Sequence, residues 1–412
     1  MSKPIKRAIT LAGGGPACGL HIGVLERLRQ EGIEFDIWGL SCIGAWVGTV
    51  YNHWADGDPV EQTYKFFRDG IFRDDDGYAR FPINTVFGPD LKGNTEAVMR
   101  FMMDPKSYDK IWLPDQFMKQ AMNAMAFFTG PNRSSEGDLN NLILNSMAAN
   151  PLMRFMSSMM FLSETNGLSR IYYPDSTFLN SINFENLYKK DTFLYHNAWN
   201  LTKQRMEQFA NKDRDGYNKM THQTLCACSA LPYIEAPIEM NGDVYCEGAL
   251  IDTVNFQRLV EDHPDLDEIW VSRIVDPSQV HPPKNMHDAL ANLCMLFAGV
   301  VGDDDVKLFR YHAKYGPKPW NGRIVEIQVD NSINYEWSRS NLDQGRKDGY
   351  WATDVALQKY KFTLADWKNY RERLEASVGK PGYDRSVAEA EEMIQKLTPS
   401  PRPRSHGATV AA

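Results

Sequence analysis

The chain has 412 residues, 43% of them hydrophobic, and a formal net charge of −8. That length holds one large domain with insertions or two domains. The acidic balance excludes nucleic acid as the main partner, since phosphate binding wants a basic surface, but leaves room for a membrane or an apolar polymer, where a local patch outweighs the total.

The opening MSKPIKRAITLAGGG lacks the apolar centre of a signal peptide. No stretch reaches the roughly 18 apolar residues of a spanning helix. Six cysteines, at 18, 42, 226, 228, 246 and 294, form no C-x-x-C pair, so neither a zinc site nor a disulfide framework is expected. The expectation is a cytoplasmic protein with no metal and no cofactor.

Residues 7–12, RAITLA, read as a short buried strand. A glycine turn, GGGPACG, follows, and then a helix whose Leu20, Val24, Leu25 and Leu28 keep helical spacing. FDIWGL reads as the next strand, and a helix runs from Ile43 through Tyr51. This order predicts an α/β domain with a parallel sheet. Residues 61–174 change character: eleven of the 18 methionines lie between Met99 and Met160, among Phe101, Trp112, Phe117, Phe127, Phe128, Phe155 and Phe161. They read as a helical insertion, either a Met-rich core or a lid or groove for apolar ligands, because methionine repacks around varied shapes.

From about residue 175 the α/β pattern returns. TFLYHNAWNLT and EIWVSRIVD read as strands, HQTLCACSALP as a helix or turn, and IEMNGDVYCEG as a hairpin around Asn241-Gly242. Residues 276–350 are mixed. Helical periodicity resumes to residue 397, and the tail 398–412 reads as disordered. The domain expectation is therefore 1–60 with 175–345 as the α/β unit, 61–174 as the insertion, and 346–397 as C-terminal helices.

Three constellations carry chemistry. Gly13-Gly14-Gly15 lies between a strand and a helix but fits neither a dinucleotide fingerprint nor a Walker loop; what remains is a nest of backbone N–H groups suited to an oxyanion. Asp36–Gly48 reads as strand, sharp turn and helix, the setting of a nucleophile elbow, with Ser41 or Cys42 at its tip. A cysteine there would have its thiolate stabilised by the helix N-terminus. Finally, Glu247-Gly248-Ala249 ends a strand and could present its carboxylate. His21, His222 and His263 read chiefly as structural or surface histidines, with His21 kept as a minor partner for a thiol.

The order glycine loop, elbow, carboxylate-Gly resembles the patatin-like phospholipase family, over about residues 7–55 and 180–276. The resemblance implies a three-layer α/β/α sandwich with a largely parallel central sheet. It also implies a nucleophile–carboxylate dyad without histidine, and lipid or other apolar acyl esters as substrates; the Met-rich insertion adds the expectation of peripheral contact with a membrane or a lipid or polymer particle. In gapless register Cys42 takes the place of the family's serine and Glu247 that of its aspartate, with Gly13, Gly14 and Gly15 forming the oxyanion hole. The sequence departs from the family at both dyad positions. Leu40 also replaces the elbow's first glycine, Ala17 a basic residue, and Cys18 a fourth glycine. Three readings follow: a working thiol–carboxylate dyad, cleaving esters or thioesters or transferring the acyl group; Ser41 as nucleophile after an insertion; or a degenerate site that only binds lipid.

Overall fold

The computed structural model describes residues 4–399 apart from 83, 85, 88, 109, 110, 112, 130–135, 257, 330–333 and 381. Trp112, the side chains of Phe128, Met160 and Phe161, and residues 400–412 of the tail lie outside the described residues.

Among the described residues there are eleven strands: β1 (Arg7–Leu11), β2 (Ile37–Leu40), β3 (Gly167–Ser169), β4 (Phe193–Asn200), β5 (Arg205–Ala210), β6 (Asn218–Lys219), β7 (Tyr233–Glu235), β8 (Ile238–Met240), β9 (Asp243–Glu247), β10 (Glu268–Arg273) and β11 (Arg323–Gln328). Nine form one sheet in the order β11-β10-β1-β2-β4-β5-β6, with β9 also paired to β4 and β8 to β9. The run β11-β10-β1-β2-β4 is parallel throughout, whereas β5 and β9 meet β4 antiparallel. β3 and β7 make a separate parallel pair.

The central strands are short and apolar because both faces are covered. Side chains alternate between two cores. Ile9, Leu11, Trp38, Leu40 and Trp270 enter one; Ala8, Ile37, Ile269 and Val271 enter the other. Helices α1 (Cys18–Gln30) and α2 (Ile43–His53) cover the first face, joined by the helix Arg339–Tyr360 through Leu342, Ala356 and Leu357. Leu259, Val306 and Trp320 cover the second. The result is the expected α/β/α sandwich.

The helix Arg339–Tyr360 crosses the boundary that the sequence suggests between residues 345 and 346. It belongs to the sandwich because glycines remove the side chains between it and α1. A Cβ at Gly19 would overlap the carbonyl of Leu342, one at Gly23 that of Arg346, and one at Gly349 that of Leu20. Arg346 bridges Glu26 of α1 at 2.7 Å. Sequence periodicity cannot show such backbone-on-backbone packing. The mixed region 276–350 also resolves, into a 30-residue helix, Met286–Tyr315, and strand β11.

Between residues 75 and 162 the chain forms helices, including Leu91–Met103, Pro114–Thr129, Glu136–Ala149 and Pro151–Leu162. Asp90 ties this segment to the body: its N–H donates to Leu168 O at 2.9 Å, and its carboxylate pairs with Arg170 at 3.0 Å. Met103, Met118, Met122 and Met125 are strongly exposed. Among the described residues no helix is long and apolar enough to cross a membrane.

Candidate active site

The elbow forms where buried β2 ends and α2 begins. Cys42 occupies the junction with φ 48° and ψ −126°, a conformation a non-glycine residue holds only when its surroundings enforce it. Three contacts do so. Ser41 N–H donates to Leu11 O at 3.0 Å, Ala45 N–H to Cys42 O at 2.9 Å, and Cys42 N–H to Cys228 Sγ at 3.1 Å. Gly44 must be glycine, because a Cβ there would overlap the Leu11 carbonyl. The first elbow glycine can be Leu40 in this chain because its side chain points into the core, where Gly48 leaves room; a Cβ on Gly48 would lie 2.5 Å from Leu40 Cδ2.

Ser41 is fully buried beneath the turn, where its hydroxyl donates to Asn197 Oδ1 at 3.0 Å. It does not line the cavity described below. The thiol of Cys42 is half-buried, faces that cavity, and lies close enough to the carboxyl of Glu247 to feel its charge.

Glu247 is the last residue of β9. Its N–H donates to Ala230 O at 2.9 Å, and Gly248 must follow, since a Cβ there would sit 2.7 Å from Asn197 Oδ1. Asn197 thus braces both sides of the pair. Burial raises the Glu247 carboxyl to about 7, partly offset by the neighbouring Cys42 thiol. The thiol is pushed well above its ordinary value, by burial first and then by the Glu247 charge. This corrects the expectation of a stabilised thiolate: the Ile43 N–H at the start of α2 favours the anion, but burial and the neighbouring carboxylate outweigh it. The resting pair is a neutral thiol beside a carboxyl poised near neutrality.

The glycine loop lies directly against the elbow, and a Cβ on Gly13 would come within 3.1 Å of Cys42 Cβ. The N–H of Gly13 is taken by Thr253 Oγ1 at 3.2 Å, which removes it from the expected oxyanion set. The N–H groups of Gly14 and Gly15 have no hydrogen-bond partner among the described residues. Gly15 has φ +53°, and an added Cβ would meet the Tyr335 hydroxyl at 2.9 Å. Ala17 and Cys18 are buried at the start of α1.

None of the three histidines serves the thiol. His21 is buried between Ser272 Oγ at 2.8 Å and Ala12 O at 2.9 Å, and burial lowers it to about 4. His222 contacts Ile182 O at 3.0 Å and His263 contacts Arg214 at 2.8 Å.

A cavity of about 730 Å³ opens over Cys42, Glu247 and the glycine loop. Its apolar wall comes from Leu290, Leu293 and Phe297 of the helix Met286–Tyr315, with Tyr335, Trp337 and Ile234. No described residue between 91 and 162 lines it. Sequence reasoning missed this wall, along with Glu235 and Tyr335, because none of them lies in a motif.

A family model of patatin-like phospholipases matches residues 9–260. A patatin-like phospholipase domain-containing protein of Caenorhabditis elegans is 43% identical over 53 residues, 13% of this chain and 4% of that protein, so the chain matches only a small part of its relative's length. The crystal structure of VipD from Legionella pneumophila is similar at 14% identity, with a TM-score of 0.39, over 96% of this chain and 75% of that one. With 252 of 412 residues matched, the chain belongs to the patatin-like phospholipase family, which implies a hydrolase of lipid esters.

Proposed function

We propose that the protein cleaves acyl esters or thioesters of lipids through a covalent acyl-enzyme on Cys42, with Glu247 as general base. The observation that carries this reading is the juxtaposition of Cys42, at the tip of a strained elbow, with the Glu247 carboxyl on one apolar cavity. A carboxyl held at about 7 is a stronger base than an ordinary glutamate. As Cys42 Sγ attacks the carbonyl carbon, its proton passes to Glu247. The carbonyl oxygen becomes an oxyanion facing the N–H groups of Gly14 and Gly15. The intermediate collapses, the C–O bond breaks, and the leaving alkoxide takes the proton from Glu247, leaving a thioester on Cys42. Water then attacks the thioester, Glu247 takes its proton, and the acid departs as Cys42 recovers the thiol. A thioester also reacts with alcohols, so an acyl acceptor in the cavity would be acylated in place of water.

Six free cysteines fit a reducing, cytoplasmic setting. The exposed methionines at 103, 118, 122 and 125 suit peripheral contact with a membrane or lipid particle.

The test is acid quenching during turnover of a nitrophenyl ester, followed by mass spectrometry of the peptide containing residue 42. The expected result is an acyl adduct on Cys42, released by neutral hydroxylamine as a thioester is. An adduct on Ser41, or turnover persisting in Cys42→Ala, overturns the proposal. Complete inertness of wild type with retained lipid binding favours the binding-only reading. Added glycerol separates hydrolysis from acyl transfer through the acylated product.

A further inference from the structure

Glu235 ends β7, and nothing in the mechanism above uses it. Its backbone is fixed: the N–H donates to Leu231 O at 2.8 Å, and the next N–H, of Ala236, donates to Ser169 O at 2.8 Å. The residue is 6% exposed, yet it lines the same cavity as Cys42 and Glu247. Its carboxyl has no hydrogen-bond or ion-pair partner among the described residues, and no described Lys, Arg or His lines the cavity.

We infer that Glu235 is a specificity-determining residue of this site: its carboxyl hydrogen-bonds a hydroxyl or carbonyl beside the scissile ester and selects uncharged acyl esters over anionic ones. The inference rests on the reading of Cys42 and Glu247 as the reacting pair. A buried carboxyl with no cation and no donor keeps its proton, because ionising it there would cost far more than in water. Burial and the charge of Glu247 both push Glu235 in that direction. A protonated carboxyl offers one donor and one acceptor, which matches a hydroxyl or an ester carbonyl. A phosphate beside the ester would instead meet two carboxyls and no cation. An apolar side chain would seal the same wall at less cost, so the carboxyl is suited to a neutral polar group of a ligand that displaces water from the cavity.

The test compares monooleoylglycerol, the lysophosphatidate with the same chain, and ethyl oleate in neutral mixed micelles. Wild type is expected to show at least a tenfold higher kcat/KM on monooleoylglycerol than on lysophosphatidate. In Glu235→Leu, the ratio of kcat/KM for monooleoylglycerol to that for ethyl oleate should fall about tenfold or more, mainly through KM. Glu235→Gln keeps a donor and an acceptor and should hold the ratio within a few-fold. A wild-type preference for lysophosphatidate, or an unchanged ratio in folded Glu235→Leu, overturns the inference. Should the leucine variant fail to fold, the wild-type substrate preference still decides. Cys42→Ala on ethyl oleate tests the underlying reading separately: persistent hydrolysis there would defeat the dyad itself, whatever the selectivity.

Discussion

Replacing Glu247 by glutamine removes the base and a buried acid in one step, so it makes two opposite predictions. The carboxyl sits at about 7 in the folded protein against an ordinary 4.5. A base of that strength is half ionised at neutrality and about one per cent ionised two pH units lower, so wild-type kcat/KM should fall roughly 50-fold from pH 7 to 5. In Glu247→Gln that acid limb should disappear, and activity at pH 7 should drop by about 10²–10⁴, the range for loss of a positioned base. Stability should move the other way. Because the folded value lies above the unfolded one, the acid's contribution is most favourable below about 4.5 and is lost as pH rises through 7. Carrying the acid from 4.5 to about 7 costs roughly 3 kcal/mol at pH 8 and under about 1 kcal/mol at pH 5. The variant should therefore melt a few degrees higher than wild type at pH 8, with a smaller gain at pH 5. The assays are nitrophenyl ester kinetics and calorimetry across pH 5–9. An acid limb that survives in Glu247→Gln, or activity within about tenfold of wild type, would refute Glu247 as the base. An equal melting difference at both pH values would refute its burial as a charged group.

Cys42→Ala should abolish turnover, whereas Ser41→Ala should keep most of it while losing about 1–2 kcal/mol through the broken bond to Asn197; denaturation and kinetics of the two variants separate these outcomes. Gly23→Ala should destabilise severely, because the Arg346 carbonyl occupies the space a Cβ needs, and soluble expression or circular dichroism will read it. Changing Met118, Met122 and Met125 together to serine should weaken sedimentation with liposomes and leave turnover of a short soluble ester intact, since these residues are exposed and do not line the cavity. Unchanged sedimentation would remove the surface role.

The first 55 residues and the 238–247 hairpin were legible because each element announces itself locally. β1 and β2 are apolar runs ended by glycine or by the elbow, and Asn241-Gly242 adopts two successive positive φ angles, 53° and 81°, as that pair predicts in a two-residue hairpin. The helix Met286–Tyr315 was hidden for a physical reason. Leu290, Leu293 and Phe297 line the cavity while Leu296 and Val300 are exposed and do not line it, so the apolar residues spread beyond a single stripe. Its Asp303-Asp304-Asp305 run reads as a loop until its partners are seen: Arg273 for Asp303, and the N–H groups of Thr253 and Val254 for Asp305. The protonation of the dyad was misread because a helix N-terminus is visible in sequence, whereas burial and the approach of Glu247 across about 200 residues are not.

The glycine seam between α1 and the helix Arg339–Tyr360 also sets a timetable for biosynthesis. Glu26 and Arg346, which meet across it, are 320 residues apart in the chain. At about 5–20 residues per second, α1 and the glycine loop before it wait roughly 16–64 s for the partner that pins them. Until then Gly19 and Gly23 present bare backbone, and the glycine loop lacks its support. Tyr335, which packs on Gly15, arrives in the same late stretch. A nascent chain would thus carry the elbow early and gain a finished pocket only near the end of synthesis, so a ribosome-bound intermediate should be inert toward membranes around it. Truncation before residue 339 should likewise yield a protein that holds the matched segment 9–260 in full and still cannot hydrolyse an ester.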